Sequence, residues 1–125
     1  MRIPEKVAVI TGAGSGFGEG IAKRFAQEGA KVVVADINGE GAERVADEIG
    51  DAAVAITTDV TSRSDTKAMI DLAVEKFGRL DCLINNAGFT SRNGSLMDVD
   101  DKTFDRIFDV NVKAIYLATQ VAVPV

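Results

Sequence analysis

An α/β fold built on a parallel sheet is predicted by three observations. Short β-branched runs alternate with longer helical patterns along the 125 residues, no repeat or low-complexity segment interrupts them, and the first run passes straight into a glycine-rich stretch, Thr11–Gly18. A strand that ends in glycines and leads into a helix makes a phosphate cradle. The first N–H groups of the helix lack internal acceptors, and the positive end of its dipole points into the loop.

The elements follow in order. A strand over Val7–Ile10 precedes a helix over Gly18–Glu28 that stops at Gly29; a strand over Lys31–Asp36 precedes a helix over Gly39–Ile49 that stops at Gly50. A third strand covers Ala53–Ile56. The helix after it, Arg63–Phe77, ends before Gly78 and begins with Ser62 and Asp65 in the spacing of a capping box. The fourth strand, Leu80–Asn85, is apolar apart from its ends, and a polar loop, Phe89–Gly94, lies beyond it at the entrance of any cleft. A long helix from Asp100 to Val123 is expected last. Phe104, Ile107, Phe108, Ile115, Ala118 and Ala122 form its apolar stripe, with Asn111 on that same stripe as a buried amide in need of partners. Right-handed crossovers give the strand order 3-2-1-4, with the topological switch between strands one and four. Thr11–Gly18 and Asn86–Thr90 then form opposite walls of one crevice.

Composition narrows the function classes. With 46% hydrophobic and 26% charged residues the chain reads as one ordinary soluble domain, residues 1–125. A net charge of -5 argues against a nucleic-acid surface, and the absence of histidine beside a single cysteine argues against a transition-metal site. Cys82 has no partner for an internal disulfide and is expected to pack as a small hydrophobe. No apolar stretch reaches the length of a membrane span and Met1–Lys6 has no apolar targeting core, from which a cytoplasmic location is expected.

Glycine spacing discriminates between cradle types. G-x-G-x-x-G fails, because its last glycine would fall on Phe17 or Glu19, and no Gly-Lys-Ser/Thr follows to make a triphosphate loop. T-G-x-x-x-G-x-G fits, on Thr11, Gly12, Gly16 and Gly18. Gly12 permits the turn off the strand, while Gly16 and Gly18 leave room for a pyrophosphate and let the helix pack closely on the sheet. Asp36, closing the second strand, can accept from both hydroxyls of an adenosine ribose or can make an Asx-turn with Asn38. Asp59, followed by Val60, can accept from the exocyclic amine of adenine or can serve the turn into the Ser62 helix. Asn85 and Asn86 are poor strand formers, held in place by something other than propensity or else simply a turn. Asn111 can kink its helix by bonding a backbone carbonyl or can hold a buried water.

Taken together, Thr11–Gly18, Asp36, Asp59-Val60, Asn85–Gly88 and Asn111 resemble the classical short-chain dehydrogenase/reductase family over the whole chain. The resemblance implies a Rossmann-type NAD-binding domain over 1–125, incomplete relative to the family and ending after the fourth strand and the helix that follows. It implies cofactor contacts from Thr11, Gly12, Gly14, Ser15, Gly16, Phe17, Gly18, Asp36, Ile37, Asp59, Val60, Asn86, Ala87 and Gly88, and no metal. The Asn-Asn-Ala-Gly segment would stabilise the sheet and bring backbone to the cofactor's ribose. Asn111 would belong to an Asn-Ser-Tyr-Lys catalytic set, anchoring a water of the proton relay.

The Ser and the Tyr-x-x-x-Lys of that set would lie beyond Val125. Tyr116 is the only tyrosine and is followed four places on by Gln120, and neither Ser91 nor Ser95 has a Tyr-Lys pair beside it. The implied function is an NAD-dependent oxidoreductase acting on a small alcohol or carbonyl substrate, with this chain as its cofactor-binding half and inactive by itself. NAD is expected over NADP because Asp36 opposes a 2′-phosphate and neither Ser15 nor Ile37 is basic. The long helix would pack on its counterpart in a homo-oligomer, and Leu80–Asn85, left as a sheet edge, would invite association. Two alternatives stand beside this reading. One is a non-catalytic dinucleotide-binding or oligomerisation module; the other is a ketoacyl-thioester reductase, which Asp36 disfavours because such enzymes usually prefer NADP.

Overall fold

A computed structural model describes residues 1–125. Strands β1 (Val7–Thr11), β2 (Lys31–Asp36), β3 (Ala53–Thr57) and β4 (Cys82–Ile84) form one parallel sheet in the order β3-β2-β1-β4, the order expected from right-handed crossovers. Helices α1 (Gly16–Gln27), α2 (Gly39–Ile49) and α3 (Arg63–Phe77) connect them. A 3-10 turn (Leu96–Asp98), α4 (Asp101–Phe108), a π-helical turn (Asp109–Lys113) and α5 (Ala114–Ala122) complete the chain.

Strand periodicity divides the core into two layers. Ala8 and Ile10 of β1 with Val32 and Val34 of β2 point to one face and pack with Ala22 of α1 and Ala42 and Val45 of α2. Val7, Val9, Val33 and Ala35 point to the other, against Met69, Ile70 and Ala73 of α3 and the end of α5. Each fully buried valine contributes about 1.5–3 kcal/mol, and the sheet is covered on both faces where β1 and β2 meet. Half-buried Cys82 packs against the first layer, as a small hydrophobe does. No helix is long and apolar enough to cross a membrane.

Several boundaries differ from the sequence reading, each for a local reason. α1 begins at Gly16 rather than Gly18, because extended Ser15 (φ -166°) already takes the N-cap position and its carbonyl accepts from Glu19 N–H. Thr11 and Thr57 extend β1 and β3 by one residue, in register with Ala35 and Asp36. β4 is shorter than Leu80–Asn85, since the backbone turns after Ile84, where Asn86 N–H donates to the Ile84 carbonyl at 3.1 Å. Only half of the capping box forms. Ser62 Oγ accepts from Asp65 N–H at 3.2 Å, whereas the Asp65 carboxylate reaches Asp59 N–H at 2.9 Å instead of that of Ser62.

The expected long helix is broken, and its stripe is corrected. Val110, Ala114, Leu117 and Ala118 are buried, whereas Phe104, Phe108 and Ile115 are about half exposed and Asn111 is exposed. A π turn closes i→i+5 bonds and so accommodates one extra residue, which rotates the helix faces that precede and follow it. A single 3.6-residue period drawn through Asp100–Val123 therefore placed Asn111 on the wrong face. Phe104 and Phe108 stack on each other with centroids 4.7 Å apart.

One hydroxyl fastens β1 to the turn after β4. Thr11 Oγ1 accepts from Asn86 N–H (3.1 Å) and Ala87 N–H (3.0 Å) and donates to the Ile84 carbonyl (3.3 Å). Replacing Thr11 by the isosteric valine leaves the part-buried Ala87 N–H without an acceptor, a cost of about 1–3 kcal/mol, and leaves the Asn86 N–H with only its bond to the Ile84 carbonyl. Thr11→Val is expected to lower the urea midpoint by the equivalent of about 1–3 kcal/mol at unchanged m-value.

Candidate cofactor crevice

The crevice opens at the carboxyl ends of the strands, beside the switch between β1 and β4, and has a volume of about 460 Å³. Its floor is set by the side-chain amide of Asn86, whose Nδ2 donates to the carbonyls of Thr11 (3.1 Å) and Gly12 (3.2 Å). Helix α1 comes down directly on this junction. A Cβ on Gly18 would lie 2.2 Å from the Gly12 carbonyl oxygen and 2.6 Å from Asn86 Nδ2, so only glycine allows the helix to seat there.

Asp36 at the end of β2 is gripped from two sides. Gly14 N–H donates to Oδ2 at 2.8 Å and Asn38 N–H to Oδ1 at 2.9 Å, the second bond being the Asx-turn read from the sequence. Gly14 makes this approach possible, because a Cβ there would stand 2.9 Å from Asp36 Oδ2 and 3.1 Å from Ala42 N. Each carboxylate oxygen keeps a lone pair for a further donor. Next to it the loop offers N–H groups without acceptors, those of Ser15, Gly16 and Phe17. A side chain at Gly16 would meet nothing within 4 Å.

Asp59 supplies a second carboxylate, half-turned into its own loop. Oδ1 accepts from the Thr61 hydroxyl (2.7 Å) and Thr61 N–H (3.0 Å), with Arg106 Nη1 3.8 Å away. The Thr61 hydroxyl bond foremost, then its backbone N–H and the charge of Arg106, hold the Asp59 carboxyl below the usual carboxylate range against the opposing effect of burial. Thr58, just before it, is buried, and its hydroxyl has no partner. Exposed Ile37 and half-buried Val60 line the crevice along with the two carboxylates.

The far wall is Phe89, held by its backbone and by its ring. Asn111 Oδ1 accepts from Phe89 N–H at 2.9 Å and Nδ2 donates to the Phe89 carbonyl at 2.7 Å, while the Arg106 guanidinium lies 6.0 Å from the ring centroid. Asn111 lies in the π turn, and its amide bonds the backbone of Phe89.

Gly12, Ser15, Phe17, Asp36, Ile37, Asp59, Val60, Asn86, Ala87 and Gly88 all line the crevice. Thr11 lies beneath it as the clamp, Gly14 stands behind Asp36, Gly18 is buried at the helix junction, Gly16 belongs to the rim of the loop and Asn111 sits behind Phe89. Thr58, Arg106 and Val110 line it without having been singled out from the sequence. Thr58 adjoins Asp59 and was discoverable by position. Arg106 and Val110 stand one turn apart near the junction of α4 with the π turn, a junction for which the sequence carries no periodic signal.

The short chain dehydrogenase family matches residues 6–125. The chain belongs to that family. Among solved structures it is similar to 3-ketoacyl-(acyl-carrier-protein) reductase from Brucella melitensis complexed with NADH, at 52% identity and a TM-score of 0.96, over 98% of this chain and 50% of that one. It is 42% identical to 4-formylbenzenesulfonate dehydrogenase of Comamonas testosteroni, over 99% of this chain and 50% of that protein. With 7alpha-hydroxysteroid dehydrogenase of Escherichia coli K12 the identity is 41%, over 99% of this chain and 49% of that protein. The chain therefore spans about half the length of the curated short-chain dehydrogenases it matches.

Because the folded Asp59 carboxyl titrates below its ordinary 3.8, its contribution to stability is fully present above that value and disappears as pH falls through the lowered pKa. Asp59→Asn is expected to melt below the parent by a constant interval above about pH 4, with the interval closing at lower pH. Thermal midpoints measured from neutral to strongly acid solution check this, and an interval independent of pH would contradict it.

Proposed function

We propose that residues 1–125 are the NAD-binding half of an oxidoreductase acting on a small alcohol or carbonyl compound. One observation carries the reading: a carboxylate, Asp36, and the loop residues Ser15 and Phe17, whose N–H groups have no acceptor, line the same crevice. Such N–H groups at a helix N-terminus suit a pyrophosphate, and the lone pairs left on Asp36 suit the vicinal hydroxyls of the adenosine ribose. Ile37 and Val60 would enclose the adenine, and Asp59 Oδ2, which has no hydrogen bond in the structure, would accept from its amine. Ala87 and Gly88 would bring backbone to the second ribose.

NAD supplies the hydride acceptor or donor when bound. The chain's own residues bind and orient it. Asn111 acts first as a positioning residue, because both atoms of its amide hold the Phe89 backbone that walls the reacting end. Each amide atom retains capacity for one more bond, enough for a relay water. No Tyr-x-x-x-Lys occurs among these 125 residues, so catalysis by the whole protein rests on groups outside them. The half-exposed aromatic and aliphatic side chains Phe104, Phe108, Ile115 and Tyr116 suit a homo-oligomeric contact with a second copy.

Thioester reduction stands as a second reading on a specific ground. The Brucella melitensis structure carries the name of a 3-ketoacyl-(acyl-carrier-protein) reductase and holds NADH, so a preference for NAD imposed by Asp36 does not weigh against that activity.

Titration with NADH, followed by nicotinamide fluorescence, tests the cofactor reading directly, and a protein that leaves the signal unchanged would sink it. Asp36→Ala is expected to weaken NADH by about tenfold and to narrow the gap between NADH and NADPH, through loss of the hydroxyl contacts and of the charge that repels a 2′-phosphate. Equal affinities in variant and parent would remove Asp36 from the ribose.

A further inference from the structure

Arg44 lies on α2, outside the crevice, yet its guanidinium reaches the glycine loop. Nη2 donates to the Gly14 carbonyl at 3.2 Å and to Glu19 Oε1 at 2.7 Å, and Nη1 donates to Glu48 Oε1 at 3.1 Å and to Glu19 Oε2 at 3.4 Å. Lys23 ties the same two glutamates together at 2.6 Å each. Half-exposed ion pairs of this kind add little to stability, so the contact with the loop is the more informative part of the cluster.

The geometry of the peptide unit gives that contact a consequence. All peptide bonds are trans, so the Gly14 carbonyl and the Ser15 N–H share one plane and point in opposite directions. Arg44 draws the carbonyl toward α2, whose first turn also seats against it: a Cβ on Gly41 would stand 2.9 Å from the Gly14 oxygen. Ser15 lines the crevice, and its N–H has no acceptor. Turned over, the same peptide would aim a carbonyl oxygen, with its partial negative charge, into the space where an anion has to bind.

We propose that Arg44 is a positioning residue for the phosphate cradle, holding the Gly14–Ser15 peptide with its N–H toward the pyrophosphate of the bound dinucleotide. The inference rests on the NAD reading and extends it to a side chain that never touches the cofactor. It also links the cradle to Asp36, since the N–H of Gly14 is already committed to that carboxylate. Hydrogen bonds from Arg44 and then Lys23 hold the Glu19 carboxyl down at about 2, so the cluster stays ionised throughout the range in which an NAD-binding protein is assayed.

Calorimetric titrations of the protein with NADH, ADP and adenosine separate the possibilities. Arg44→Met is expected to weaken NADH and ADP by about tenfold, the usual value of one charge-assisted hydrogen bond, and to leave adenosine unchanged because it has the ribose hydroxyls but no phosphate. Arg44→Lys should recover part of the loss. Glu48→Gln removes one partner of the cluster without touching Gly14 and should bind all three as the parent does. Parental affinity of Arg44→Met for NADH and ADP would overturn the proposal, as would an equal loss for adenosine, which would mark a general loosening of α2. Should Arg44→Met misfold, Arg44→Gln serves the same comparison. A parent protein that binds neither NADH nor ADP would instead remove the NAD reading itself.

Discussion

The clamp between β1 and the turn after β4 is the constraint on which the site depends. These segments are far apart in sequence and pair only through a short parallel ladder, Ala8–Ile10 with Cys82–Ile84. Beyond Ile10 the ladder gives way to side chains: the hydroxyl of Thr11 takes two N–H groups of the Asn86 turn, and the amide of Asn86 returns two bonds to the carbonyls of Thr11 and Gly12. Backbone groups that would otherwise be orphaned at the strand ends are satisfied by this exchange. Because Gly18 packs on the same carbonyl and amide, the seat of α1 and the floor of the crevice are fixed by one set of atoms.

A second exchange, at Asp36, couples recognition to architecture. Its carboxylate is a bridge between the glycine loop and the start of α2, and the same oxygens face the crevice. The turn reading and the ligand reading of this residue are therefore compatible, since two acceptor oxygens have more capacity than the two backbone donors use. Asp59 repeats the pattern, with Thr61 taking one oxygen and leaving the other free. Carboxylates pre-oriented by backbone bonds lose little entropy when a ligand arrives, which favours their use in a binding site.

The C-terminal helical region departs most from simple periodicity. A π turn interrupts it where Asn111 leaves the helix surface to hold the backbone of Phe89. Such turns concentrate at functional positions because the inserted residue redirects a side chain at the expense of regular bonding. Beside it Arg106 and Val110 line the crevice, while Phe104, Phe108 and Ile115 are half exposed.

By itself the sequence determined the sheet order, the two-sided core and the loop that carries the glycines. Those features follow from local chemistry: β-branched runs of strand length, helices stopped by Gly29, Gly50 and Gly78, and crossovers of a single hand. It also marked most of the crevice, because Asp36 ends a strand and Asp59 and Asn86–Gly88 closely follow one, at the edge where parallel sheets bind ligands. Only the tertiary structure decided who bonds to whom. Asp65 reaches Asp59 rather than its own cap, Asn111 holds Phe89 instead of lying in the apolar stripe, and Arg44 reaches Gly14 from another helix. The last two are made between segments distant in the chain, and in all three competing donors and acceptors are brought within about 3 Å only by the packed fold, so no periodicity or spacing in the sequence specified them.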